Sequence, residues 1–107
     1  MSFEVYKDKA DEYRFRLKAS NGEVVLSSEG YSAKAGAMNG IESVKKHSKM
    51  DEMFESYTDK AGKYRFRLKA ANGQVIGSSE AYESEANHKA GIESVKRWAK
   101  EAKIKEI

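Results

Sequence analysis

The sequence predicts an α+β fold. It should be a tandem duplication of β-β-β-α units, forming an antiparallel sheet with two helices packed on one face, pseudo-two-fold symmetric. Three observations predict it. An alternating apolar–basic string, Tyr13–Ala19, returns as Tyr64–Ala70. An Asn-Gly pair follows each copy, at Asn21-Gly22 and Asn72-Gly73, and Asn-Gly is a strong hairpin signal. A stretch of helical periodicity then follows each hairpin. Registered on itself at an offset of 51 residues, Phe3–Lys49 matches Phe54–Lys100 at 28 of 47 positions without a gap. A match of that length marks a duplication. With only two copies, closure of one unit on the other about a pseudo-two-fold axis lets two similar faces bury each other. The expected organisation is a single domain, 1–107, made of repeat 1 (2–50) and repeat 2 (53–104) with a C-terminal tail, 103–107.

Phe3-Glu4-Val5-Tyr6 alternates and reads as a short strand. Asp8–Glu12 is charged and reads as a turn, as does its counterpart Asp59–Lys63, which contains Gly62. Tyr13–Ala19 is the clearest strand, and Glu23–Glu29 returns from the Asn21-Gly22 turn. A two-residue type I′ loop sets Ser20 opposite Glu23. Counting outward, one face pairs Ala19 with Val24, Leu17 with Leu26 and Phe15 with Ser28. The other pairs Lys18 with Val25, Arg16 with Ser27 and Arg14 with Glu29. The second unit repeats this, with Arg65 opposite Glu80 and Lys69 opposite Ile76. One face is core and the other carries cations, the half-buried antiparallel pattern.

A helix follows in each unit, with Ser32 and Ser84 as candidate caps. The first core stripe is Ala33, Ala37, Gly40, Ile41, Val44 and His47. The second is His88, Gly91, Ile92, Val95, Trp98, Ala99 and Ala102. Gly40 and Gly91 lie mid-helix, where glycine costs about 1 kcal/mol relative to alanine. Close approach of helix to sheet is the expected compensation. Glu42 with Lys46, and Glu93 with Arg97, are spaced for i,i+4 pairs. Met53–Tyr57 alternates, so the first helix should feed directly into a strand. The tail Lys103–Ile107 occupies the equivalent place after the second helix, and should be a strand near Phe3–Lys7. A helix extension is the competing reading, since Ile104 and Ile107 are also helically spaced.

Composition narrows the function classes. Without cysteine there are no disulfides and no thiolate metal sites. Twenty basic residues stand against 17 acidic ones, for a net charge of +3. That is a mixed surface and not the lopsided balance of a strong nucleic-acid binder. The N-terminus lacks a basic region followed by an apolar run, and no apolar stretch approaches the ~18 residues of a membrane span. A cytoplasmic location and no membrane partner are expected.

The repeated strings Tyr-Arg-Phe-Arg-Leu-Lys-Ala-x-Asn-Gly, Ser-Ser-Glu-x-Tyr (Ser27–Tyr31, Ser78–Tyr82) and Gly-Ile-Glu-Ser-Val-Lys (Gly40–Lys45, Gly91–Lys96) resemble the YegP-like family of small bacterial proteins. The resemblance covers essentially the whole chain. It implies an α+β fold of repeated β-β-β-α units, in a family where some members carry one unit and this chain is the fused version. It implies no activity and no catalytic residues.

The residues themselves point the same way. His47 and His88 recur in neither repeat and have no carboxylate or second histidine at ligand spacing, so they read as packing residues. Ser27-Ser28 and Ser78-Ser79 lack a histidine base at recognisable spacing and read as strand ends. No catalytic residue, cofactor or metal site is expected, and the chain is read as no enzyme. The candidate binding face is the outer side of the sheet: Tyr6, Arg14, Arg16, Lys18, Tyr57, Arg65, Arg67 and Lys69. Cations beside aromatics on an open sheet suit weak single-stranded nucleic-acid binding. Against that, Glu4, Glu29, Glu55 and Glu80 share the face and leave its net charge at only +2. A solvated face laced with ion pairs is the stronger expectation, and a non-enzymatic interaction or structural module is the first functional reading. The partner is unknown, either protein or nucleic acid, and pairing of the repeats within one chain favours a monomer.

Overall fold

The two alternating strings become neighbours-but-one of the seam in a seven-stranded sheet. The structure is a computed structural model that describes residues 1–107. In chain order it runs β1 (Ser2–Lys7), β2 (Tyr13–Lys18), β3 (Val24–Ser27), α1 (Lys34–His47), β4 (Phe54–Thr58), β5 (Tyr64–Lys69), β6 (Val75–Ser78), α2 (Glu85–Trp98) and β7 (Lys103–Glu106). Single 3₁₀ turns at Asp51–Met53 and Ala99–Glu101 lead from each helix into the next strand. The strand order is β4-β5-β6-β3-β2-β1-β7. Ser27 opposite Ser78 joins β3 to β6, and the pseudo-two-fold axis passes between them. The tail is a strand, as expected, and lies beside β1. It runs parallel to β1, whereas every other pair is antiparallel.

The hairpin turns differ from the two-residue loop. Gly22 and Gly73 have φ of 88° and 86°, but neither Asn21 nor Asn72 has positive φ. Gly22 N–H donates to the Ala19 carbonyl at 2.9 Å, and Ala19 N–H to the Glu23 carbonyl at 2.8 Å. This is a three-residue loop ending in a left-handed glycine. It shifts the pairing by one, so Lys18 faces Val24. A bulge between Leu17 and Lys18 then restores the expected pairs Leu17↔Leu26 and Arg16↔Ser27. The bulge turns Val25 inward, and Val25 and Ile76 are core residues and not partners of lysines on the outer face. β6 carries the same bulge.

Both helices lie on the side of Phe3, Phe15, Leu17, Phe66 and Leu68, which are fully buried. A Cβ on Gly40 would sit 2.6 Å from Tyr31 Oη and 2.8 Å from Phe15 Cε2, so close approach is the reason for that glycine. Gly91 is crowded by Tyr82 in the same way. Ser84 caps α2, accepting from Asn87 N–H at 3.1 Å. α1 begins one residue later than Ser32 allows: Ala33 holds the cap position without a side-chain bond, and it is exposed. Trp98 also leaves the predicted stripe and is 51% exposed, while its counterpart His47 is buried. The expected pairs Glu42–Lys46 and Glu93–Arg97 are not formed, and the i,i+4 pair on α2 is Glu85–Lys89 at 3.3 Å. Glu93 pairs with Lys96 at 3.6 Å, and Arg97 lies over the Trp98 ring. No helix is long and apolar enough to cross a membrane.

Candidate functional site

The face of the sheet away from the helices carries one continuous row. Glu4, Arg16, Ser27, Ser78, Arg67 and Glu55 stand opposite one another across six strands. Lys105 extends the row on β7. With strands about 4.8 Å apart, the two arginines are about 14 Å apart across a centre of two serines.

The predicted site residues gather into two equivalent clusters on this face. Arg16 Nε is 2.7 Å from Glu4 Oε1, and Lys18 Nζ is 3.6 Å from the other oxygen. Arg67 Nε is 3.1 Å from Glu55 Oε1, and Lys69 Nζ 2.9 Å from Oε2. The hydrogen bond from Arg16 holds Glu4 below its ordinary value, and that from Lys69 does the same for Glu55. Each arginine also covers a tyrosine ring, Arg16 at 4.6 Å from the Tyr6 centroid and Arg67 at 4.2 Å from Tyr57.

Arg14 and Arg65 do not reach Glu29 and Glu80. They turn toward aspartates in the preceding turns, Asp8 at 2.6 Å and Asp59 at 2.7 Å. The reason is local. Asp8 Oδ1 already accepts from the backbone N–H of Ala10 and Glu12, which aims Oδ2 at Arg14. Glu29 lies beyond the end of β3. Asp59 makes the same bonds to Ala61 and Lys63. The guanidiniums, then the turn N–H groups, depress both carboxyl pKa values, and Arg14 and Arg65 are raised in return. The aspartates were overlooked in the sequence, although each recurs six residues before an arginine in both repeats.

This arrangement gives the nucleic-acid reading no support. Phosphate contacts need available cations and base stacking needs open ring faces. Here each cation of the predicted face has a carboxylate partner, and Arg16 and Arg67 occupy the faces of Tyr6 and Tyr57.

The histidines are tied to backbone carbonyls. His47 Nδ1 donates to Ser43 O at 2.8 Å, and His88 Nε2 to Arg65 O at 3.2 Å. His88 also stands edge-on to Phe66. Ser28 and Ser79 continue the sheet ladder through their side chains. Ser28 Oγ accepts from Phe15 N–H at 2.9 Å and donates to Glu29 O at 2.8 Å, and Ser79 does the same with Phe66 and Glu80. No group of three or more histidine, cysteine, aspartate or glutamate side chains is placed to hold a metal ion.

A second feature was not legible in the sequence. Beside β4 lies a cleft of about 270 Å³ lined by Ser56, Tyr57, Thr58, Tyr64, Glu85, His88 and Lys89. Its only sequence signal is a departure from the repeat: Ser56, Glu85 and His88 replace Val5, Lys34 and Ala37.

Comparison with known proteins places these features in context. The profile of a family described as a domain of unknown function, DUF1508, matches residues 8–55 and again 59–106. The chain is 53% identical over 106 residues to a UPF0339 protein encoded 5′ of the ptx operon in Stutzerimonas stutzeri, covering 99% of this chain and 96% of the relative. It is 47% identical over 94 residues to the UPF0339 protein YegP of Escherichia coli K12, covering 88% and 86%. The solution structure of a UPF0339 protein from Shewanella oneidensis superposes with a TM-score of 0.93 at 46% identity, over 98% of this chain and 89% of that one. That of E. coli yegP gives 0.92 at 43%, over 98% and 90%.

Proposed function

We infer that this chain, which belongs to the DUF1508 family, is a non-enzymatic interaction module that meets a protein partner through the bare face of its sheet. The observation that carries this reading is the row from Glu4 to Glu55. It is left uncovered by both helices and presents the same cluster of cation, carboxylate and tyrosine twice about the Ser27–Ser78 seam. Its charges are mutually paired, which suits a protein surface of mixed charge better than a polyanion. The rest supports binding over catalysis. Neither histidine has a carboxylate partner; each donates to a main-chain carbonyl, and the hydroxyl beside His47 is that of Ser43, one turn back on the same helix. The pairing of the repeats within one chain favours a monomeric, single-domain protein.

The test is co-purification from the native cell with chemical cross-linking, comparing the wild type with an Arg16→Glu, Arg67→Glu double variant of matched thermal stability. A protein partner recovered with the wild type and lost with the variant is the expected result. Equal recovery with both, or cross-links that map only to the helices, would overturn the reading.

A further inference from the structure

The pseudo-two-fold axis makes β1 and β4 equivalent, but only β1 has an outer neighbour. β7 lies parallel to it, with Phe3 opposite Ile104 and Val5 opposite Glu106. The Ile107 N–H donates to Val5 O at 3.0 Å, and Glu106 forms an ion pair with Lys34 at the start of α1. The groove beside β1, lined by Val5, Tyr6, Tyr13 and Lys34, is thus walled on its outer side by Glu106 and Ile107. Moved by one repeat, it becomes the cleft lined by Ser56, Tyr57, Tyr64 and Glu85. There β4 is the last strand, and nothing lies beyond it.

The backbone of β4 is oriented to accept a strand. Phe66 spends its N–H and C=O on Ser79 of the β6 side. Ser56, directly opposite Phe66, therefore forms a non-hydrogen-bonded pair with it and directs its own N–H and C=O outward. Loss of cover shows in the side chains. Phe3 is fully buried, whereas Phe54 is only partly so. The side chain of Glu4 is 15% exposed, and that of Glu55 46%.

At one position the charge of the open groove is reversed. Where Lys34 receives Glu106, the second repeat has Glu85. Where Ala37 stands, it has His88, which is 5% exposed. With Nε2 donating to Arg65 O, Nδ1 of the neutral ring is an acceptor, and it is buried without a partner. An acidic side chain at the Glu106 position would be repelled. A lysine or arginine would meet Glu85, which now has only the exposed Lys89 at 3.3 Å, and could donate toward His88.

We propose that the β4 edge is a binding site for an extended peptide segment of a partner protein, added parallel to β4, with an apolar residue opposite Phe54 and a lysine or arginine opposite Ser56. This is strand addition, in which backbone bonds give affinity and alternate side chains give specificity. It uses the edge of β4, which adjoins the Arg16–Ser27–Ser78–Arg67 row at Glu55 and Tyr57.

The test is an amide-resolved NMR titration of the full chain with two synthetic peptides. One has the chain's own Ala102–Ile107 sequence, and the other the same sequence carrying Glu106→Lys. The lysine peptide is expected to shift Phe54, Ser56, Glu85 and His88 while leaving Arg16 and Ser27 in place. The glutamate peptide should bind about tenfold more weakly, since like charges face each other. Ser56→Pro removes one outward N–H and no β4–β5 bond, and should abolish the shifts. Should that variant not fold, Glu85→Lys should reverse the preference between the two peptides. Absence of shifts at millimolar peptide, equal affinity for both, or shifts on β1 from displacement of β7 would each overturn the proposal. So would a concentration-dependent dimer with Ser56 protected from exchange, because a second copy would then close the edge.

Discussion

Replacing Ser28 with alanine should destabilise the protein far more than the same change one residue earlier. Ser28 Oγ stands in for a backbone carbonyl: it accepts from Phe15 N–H and donates its own hydrogen bond to Glu29 O. Phe15 is fully buried, so no water can replace the lost acceptor. Leaving a buried N–H unsatisfied costs about 1–3 kcal/mol. Taking about 2 kcal/mol, and about 2.1 cal/mol/K of unfolding entropy per residue, the midpoint of thermal unfolding should fall by about 9 °C. Ser27→Ala is the control. Ser27 is part-exposed on the bare face, and its removal should change stability by less than about 0.5 kcal/mol. Urea and thermal unfolding followed by circular dichroism measure both. Amide exchange at Phe15 should accelerate selectively in Ser28→Ala, and Ser79→Ala should reproduce the loss through Phe66. The reasoning fails if Ser28→Ala and Ser27→Ala are equally mild, since the serine would then be only the end of a strand.

Gly40→Ala should lower stability by about 1–3 kcal/mol in denaturant titration, because its Cβ meets the Phe15 ring and the Tyr31 hydroxyl and outweighs the gain in helix propensity. A neutral or stabilising result would show that α1 can lift from the sheet. Asp11 holds a φ of 63°, where the second repeat has Gly62, so Asp11→Gly should raise stability by about 0.5 kcal/mol in the same assay. Stability should also fall with acidification. The folded-state pKa values of Glu4, Asp8, Glu55 and Asp59 are depressed, so their contribution is complete above the ordinary carboxylate range. It disappears as pH drops from about 4 through their lowered values, and Asp8→Asn with Asp59→Asn should flatten that slope.

Most of the fold could be read because the chain states it twice. Alternation at Tyr13–Lys18 and Tyr64–Lys69 specified the central strands and their buried face, and the mid-helix glycines marked where the helices meet the sheet. The errors cluster where a local choice depends on three-dimensional competition. Asn-Gly admits more than one turn, and the three-residue loop with its compensating bulge moved Val25 and Ile76 into the core while keeping the pairs beyond it. Arg14 had two carboxylates within reach, and the one pre-aimed by turn N–H groups prevailed. Trp98 followed helical spacing but is exposed, whereas His47, the last residue of α1, is buried. The alternation does gather Tyr6, Arg16, Lys18, Tyr57, Arg67 and Lys69 on the outer face, where each cation is paired with a glutamate. The β4 cleft was hidden because a strand edge has no sequence signature. It emerges only when the second repeat is compared with a first repeat that carries β7.

Amide hydrogen exchange at Val5 and Ser56, the two repeat-equivalent outward-facing positions, tests the central asymmetry most directly. In the free protein at low concentration, Val5 should be protected by β7, and Ser56 should exchange orders of magnitude faster, at nearly the rate of an open edge. Addition of the Glu106→Lys peptide should slow Ser56 alone. Equal protection at both positions in the free protein would contradict the account, because the edge of β4 would then already be covered.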